Sequence, residues 1–135
     1  MTMRRRTPTL AWAVLSLLLV GACSKPAEPL KITAIDLGHR VNDDNRIPSP
    51  SETYAPADTV YASISVEGTG SGTLTARWTS ADGQLLSEQT QKIAPTAPAH
   101  FEFHLAQPGG WPKGRHKAVF TLNGGGSRTR EFEVR

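Results

Sequence analysis

The chain predicts an all-β domain, a two-sheet antiparallel sandwich of about seven short strands. Three observations carry that expectation. Apolar residues recur with a period of two, as in Val60, Ala62, Ile64 and Val66 and again in Leu74, Ala76 and Trp78. Turn residues separate these runs at even spacing: Gly68, Gly70 and Gly72, then Asp82-Gly83, then Pro108-Gly109-Gly110, then Asn123 and the glycines after it. After residue 23 no stretch of useful length repeats its apolar residues at helical spacing.

Taken in order, residues 31–37 form the first expected strand, with Ile32, Ala34 and Asp36 on one face and Thr33, Ile35 and Leu37 on the other. Residues 38–58 read as a long irregular stretch containing Pro48, Pro50 and Pro56. Loops beyond ~12–15 residues are uncommon unless they do something, so this stretch is a candidate binding loop. Its Asn42-Asp43-Asp44-Asn45 run offers oxygens that suit calcium, but the glycine and closing glutamate of an EF-hand are missing, and a polar turn is the plainer reading.

Residues 59–67 are the clearest strand, and residues 73–80 repeat its alternation with Arg77 facing out. Asp82-Gly83 marks a hairpin into residues 85–93, a more polar run expected at a sheet edge. Residues 94–98 are a proline-containing crossing between sheets. Residues 99–105 then place Phe101, Phe103 and Leu105 on the core face. After the corner at 107–114, His116, Ala118, Phe120 and Leu122 align, and Phe132 and Val134 close the core from the last strand. The cysteine pair of an immunoglobulin core is absent, so kinship is with immunoglobulin-like or fibronectin-like sandwiches in the broad sense. An OB-type or other small barrel is the competing topology.

The segment before this domain is of another kind. Arg4, Arg5 and Arg6 precede an apolar run at residues 10–20. As a helix that run rises only about 16 Å, short of the ~30 Å hydrocarbon core, so it reads as a cleavable export signal. It ends in Val20-Gly21-Ala22-Cys23, and Cys23 is the one cysteine in the chain. This pattern resembles the lipobox of bacterial lipoproteins. The resemblance implies cleavage before Cys23, a diacylglycerol thioether on its sulfur and usually a third acyl chain on its amine. One acyl chain anchors marginally at about 0.8 kcal/mol per buried CH2, while two or more hold firmly.

The expected organisation is a signal peptide at 1–22, a lipidated Cys23 with a tether through residue 30, and a β-sandwich at 31–135. Ser24, which follows the cysteine, resembles the class sorted to the outer membrane, facing the periplasm. Three of the 15 basic residues and none of the 12 acidic ones precede Cys23, so the mature chain carries 12 of each. The basic pI therefore belongs to the precursor, and nucleic acid is not an expected partner.

Two further segments resemble an uncharacterised group of single-domain bacterial lipoproteins. They are the run from Tyr54 through Pro56, Asp58 and Tyr61 to Ser63, and Pro108-Gly109-Gly110-Trp111-Pro112-Lys113-Gly114 with the strand that follows it. The group usually has an aromatic residue, often tyrosine, two positions after the last of those glycines. Here His116 stands there, which puts a tyrosine-corner hydrogen bond in question.

For chemistry, His100, Glu102 and His104 share one face of a strand. Neighbours lie ~6.5–7 Å apart along it, so a pair could share a metal, whereas the two histidines, roughly 13 Å apart, could not. His100 and Glu102 are the weak metal candidates, with His116 as a further one; a solvated strand face is the default. Tyr61, Trp78 and Trp111 could line a ligand surface, though core positions suit the tryptophans better. The sequence has no P-loop, dinucleotide fingerprint or nucleophile elbow, so no catalytic residue and no cofactor is assigned. The expectation is a non-catalytic binding or structural module, held to a membrane by its lipid and meeting an envelope protein through the 38–58 loop or a sheet edge. The alternative is a small periplasmic metal-handling protein.

Overall fold

The computed structural model describes residues 28–123 and 125–135, so the leader and Cys23 lie outside the described residues. The strands are β1 (Lys31–Gly38), β2 (Thr53–Tyr54), β3 (Val60–Glu67), β4 (Gly72–Thr79), β5 (Leu85–Ile93), β6 (Ala99–Leu105), β7 (Gly114–Leu122) and β8 (Gly126–Val134). They form a three-stranded sheet in the order β1-β3-β6 and a five-stranded sheet in the order β2-β8-β7-β4-β5. Two separate sheets make this a sandwich and not a barrel. Every pairing is antiparallel except β2 with β8.

The alternating apolar residues of β3, β4 and β7 meet between the sheets. Val60, Ala62, Ile64, Leu74, Ala76, Trp78, Ala118 and Phe120 have no exposed surface. Each large aliphatic or aromatic side chain so buried contributes about 1.5–3 kcal/mol relative to exposure. Trp78 sits among aromatic rings, edge-on to Phe120 at 6.0 Å and to Phe132 at 6.1 Å between centroids. Both buried indoles are also satisfied as donors: Trp78 Nε1 donates to Gln89 Oε1 at 3.0 Å and Trp111 Nε1 to the Asp58 carbonyl at 2.9 Å. The two tryptophans are core residues.

Two elements differ from expectation. In β1 the register slips between Ile32 and Ala34, so that Ile32 pairs with Val66 while Ala34 pairs with Ser65. Thr33 is the extra residue of a β-bulge, and it flips the alternation. Ile32, Ile35 and Leu37 thereby all reach the core instead of dividing between two faces. The 38–58 stretch is not wholly irregular either. It contains the two-residue strand β2, places Ile47 and Tyr54 in buried positions, and bridges Pro50 to Gly38. It leaves the three-stranded sheet after β1, touches the five-stranded sheet at β2 and returns to the first at β3.

Residues 28–30, expected as tether, lie against the domain. Thr69 N–H donates to the Glu28 carbonyl at 3.0 Å, and Leu30 packs on the core. Gly68, at φ 102°, has room for no side chain, since a Cβ there would stand 2.4 Å from the Pro29 carbonyl oxygen.

Candidate functional site

The corner at 107–114 brings the two segments of the lipoprotein resemblance together. Trp111 N–H donates to the Pro56 carbonyl at 2.7 Å while its indole reaches Asp58. Gly110, at φ 93°, lies so close to Pro56 that a Cβ would come within 3.3 Å of its carbonyl oxygen. Asp58 Oδ2 in turn accepts from the Ala55 N–H at 2.7 Å. These residues hold a loop closed.

His116 belongs to the same corner. It is fully buried beside Trp111 and Phe132, and its Nε2 contacts the Pro112 carbonyl at 2.6 Å. A carbonyl only accepts, so Nε2 carries the proton. The corner hydrogen bond that the histidine put in question is therefore made, by imidazole in place of phenol. Nδ1 has no hydrogen-bond partner among the described residues. His116 lies in the five-stranded sheet, whereas His100 and Glu102 lie in the other. Tyr54 makes a comparable link, its hydroxyl donating to the Ser51 carbonyl at 2.7 Å. Burial, with Asp58 and Glu52 adding to it, pushes that phenol well above its ordinary range.

The outer face of the three-stranded sheet holds His100, Glu102 and His104 opposite Ser65, Ser63 and Tyr61. Glu102 Oε1 meets His104 Nδ1 at 2.6 Å, and the His104 ring leans on Tyr61 at 5.4 Å. His100 is held on both sides, with Ser65 Oγ at 3.0 Å from Nδ1 and Arg46 Nε donating to Nε2 at 3.0 Å. Arg46 comes from the 42–46 turn, where Asn42 N–H donates to the Arg46 carbonyl at 2.8 Å. Within that turn Asp44 Oδ1 accepts from the Arg46 N–H at 3.1 Å, and Asn45 Nδ2 donates to the His100 carbonyl at 3.1 Å. The acidic run thus shapes a turn and pins it against β6. Among the described residues no three His, Cys, Asp or Glu side chains converge as metal ligands would.

Sequence reasoning did not reach the arrangement along the rims of the sandwich. Alternate carbonyls of β1 are taken by donors from elsewhere. Arg128 Nη1 donates to Thr33 at 3.1 Å, Arg130 Nε to Ile35 at 2.9 Å, and Ser51 N–H to Leu37 at 2.8 Å. Along β6 the Asn45 amide takes His100, Gln91 Nε2 takes Glu102 at 2.6 Å, and Gln89 Nε2 takes His104 at 2.8 Å. Both edges of the three-stranded sheet are capped. The signal in the sequence is faint: polar residues at positions 89, 91, 128 and 130 could equally face water.

No protein-family model and no curated protein matches the chain. Solved structures do. An immunoglobulin-like protein from Pseudomonas aeruginosa is similar over 80% of this chain and 98% of its own, at 18% identity and a TM-score of 0.56. A CARDB domain from Pyrococcus furiosus, solved in complex with di-metal ions, is similar over 82% of this chain and 90% of its own, at 10% identity and a TM-score of 0.51. Part of an alkylpurine DNA glycosylase from Pseudomonas fluorescens, solved bound to DNA containing an abasic-site analogue, is similar over 78% of this chain but 30% of its own, at 15% identity and a TM-score of 0.51. At such identities the likeness establishes the fold, an immunoglobulin-like β-sandwich.

Proposed function

We propose that this protein is a lipid-anchored, periplasm-facing module of a bacterial cell envelope, one that binds or braces another envelope component and performs no chemistry of its own. The observation that carries the reading is Cys23 directly after Val20-Gly21-Ala22, behind a short apolar run and ahead of a sandwich whose first strand starts at Lys31. Ser24 favours the outer membrane. The docking of Glu28 on Thr69 supports a short reach from the anchor, since the domain's contacts begin five residues after Cys23. The turns near residues 68–71 and 94–98 then face the lipid, and residues 50–58 with the 107–114 corner face away.

The non-catalytic half of the reading is supported by how the polar side chains are used, since His100 and His116 spend ring nitrogens on holding a turn and a corner. Replacing Cys23 with alanine tests the anchor. Fatty-acid labelling should vanish and the domain should leave the membrane fraction; persistent labelling would refute it. Metal handling is the second reading, favoured by the Glu102–His104 pair alone. A zinc titration of residues 24–135 separates the two, and micromolar or tighter binding lost in Glu102→Gln would support the second.

A further inference from the structure

The edges of the two sheets are not equivalent. A strand added to β1 or β6 would have to displace the donors that already occupy three alternate carbonyls on each. β8 is closed at its far end by β2, where Glu133 N–H donates to Glu52 at 2.7 Å and Arg135 N–H to Tyr54 at 3.0 Å. Its Arg128 and Arg130 side chains span the gap to β1. β5 has neither device. Among the described residues it pairs only with β4, and no side chain bonds to the backbone of its other edge. That leaves a row of unmet N–H and C=O groups of the kind that templates another strand.

We infer that the β5 edge from Ser87 to Ile93 is a docking site for an extended segment of a partner protein, one that carries an acidic side chain opposite Lys92. It rests on the binding-module reading above and gives that reading a place. Two grooves run along the edge, one of about 190 Å3 beside Gln89, Gln91 and Glu102, the other of about 430 Å3 beside Lys92, Pro98 and Phe101. The charges on the edge differ in availability. Glu88 is held by Arg77 at 3.3 Å within its own sheet, while Lys92 is exposed and enters no ion pair among the described residues. Lys92 is thus the charge left for a partner. At the other end of the strand, Leu85 is the one exposed large apolar side chain among the described residues, at 46%. The segment therefore wants extended backbone, a carboxylate at one end and an apolar residue toward the other.

A second copy of this chain does not meet the requirement if the anchor is as proposed. β5 runs toward the end where residues 28–30 dock, since the Pro95 carbonyl just beyond it accepts from Gly70 N–H at 3.3 Å. An antiparallel β5–β5 pair would send the second tether to the opposite end, out of reach of the same membrane. A partner without that constraint is needed.

The eight strands of the described residues all lie within residues 31–134, so residues 24–135 contain both sheets and serve for the test. The probe is a synthetic N-acetylated peptide, Glu-Thr-Val-Thr-Val-Thr-Leu, compared with the same peptide carrying Lys in place of Glu, titrated to 1 mM against isotope-labelled protein. Amide shifts confined to residues 85–94, with the Glu peptide about fivefold tighter and the preference inverted in Lys92→Glu, are the expected result; cross-strand charge pairs of roughly 0.2–1 kcal/mol set that scale. Shifts along β1 or β6, or no shifts up to 1 mM, would overturn the edge assignment while leaving the anchoring test untouched. A preference unchanged by Lys92→Glu would overturn the chemistry assigned to the partner. A β5-mediated dimer in the absence of peptide would overturn the choice of occupant.

Discussion

The two long rims of the sandwich close in different ways. On one rim β8 sends Arg128 and Arg130 to the carbonyls of β1, and β2 covers the end of β8 itself. On the other rim β5 sends Gln89 and Gln91 to the carbonyls of β6, and nothing among the described residues covers β5. Both solutions satisfy rim carbonyls, one half-buried and one exposed on each side. The first uses charged donors, whose hydrogen bonds are worth about 1.5–3 kcal/mol each, and the second uses neutral amides worth about 0.5–1.5. The difference is that one rim is shut on both sheets and the other on only one. A protein that recognises a partner through backbone would keep the second kind.

The largest loss is expected at the arginine rim. Replacing Arg128 and Arg130 together with alanine removes two charged donors and uncovers the β1 edge. A loss of about 3 kcal/mol in denaturant unfolding is expected, with concentration-dependent association in light scattering. On the opposite rim, Gln89→Ala strips the partner from the buried Trp78 indole and from the His104 carbonyl at once. About 2 kcal/mol should be lost, and the tryptophan fluorescence should shift with it.

Tyr54 braces the β2 side of the closed rim. Its phenol is held neutral by burial, so the fold favours the protonated form. That contribution is complete below pH ~10, where the unfolded phenol titrates, and declines as pH rises above it. Tyr54→Phe should cost about 1 kcal/mol at neutral pH through the lost bond to Ser51 and should flatten the alkaline fall in stability. The smallest effect belongs to Lys92→Glu. That side chain is exposed and unpaired among the described residues, so the melting temperature should stay within the range of a change of about 0.5 kcal/mol.

Much of the sandwich was legible because its strongest strands obey a strict period of two. Val60 to Val66 and Leu74 to Trp78 lie where alternation puts them, β5 is an edge strand as its polarity indicates, and His116 aligns with Ala118 and Phe120 in the core. β1 misled because a single bulge at Thr33 reverses the alternation, and a bulge leaves no mark in a seven-residue apolar pattern. β2 was invisible for another reason. Two residues show no periodicity, and Thr53 and Tyr54 are strand only because β8 lies beside them. The same holds for His100, read as one point of a solvated face. Its bonds to Ser65 and Arg46 join residues 35 and 54 positions away, and sequence spacing carries no such information. The rims were hidden most completely, since a glutamine that caps a carbonyl and one that faces water look alike.

The asymmetry between the rims is tested most directly by adding a soluble gadolinium chelate to labelled protein and reading the broadening of each backbone amide. Strong broadening is expected at alternate amides between Ser87 and Ile93, and weak broadening at Thr33, Ile35, His100, Glu102 and His104, where side chains cover the edge, and at Leu37, where the Ser51 amide does. Equal broadening on β1, β5 and β6, or a β5 edge more shielded than the other two, would contradict it.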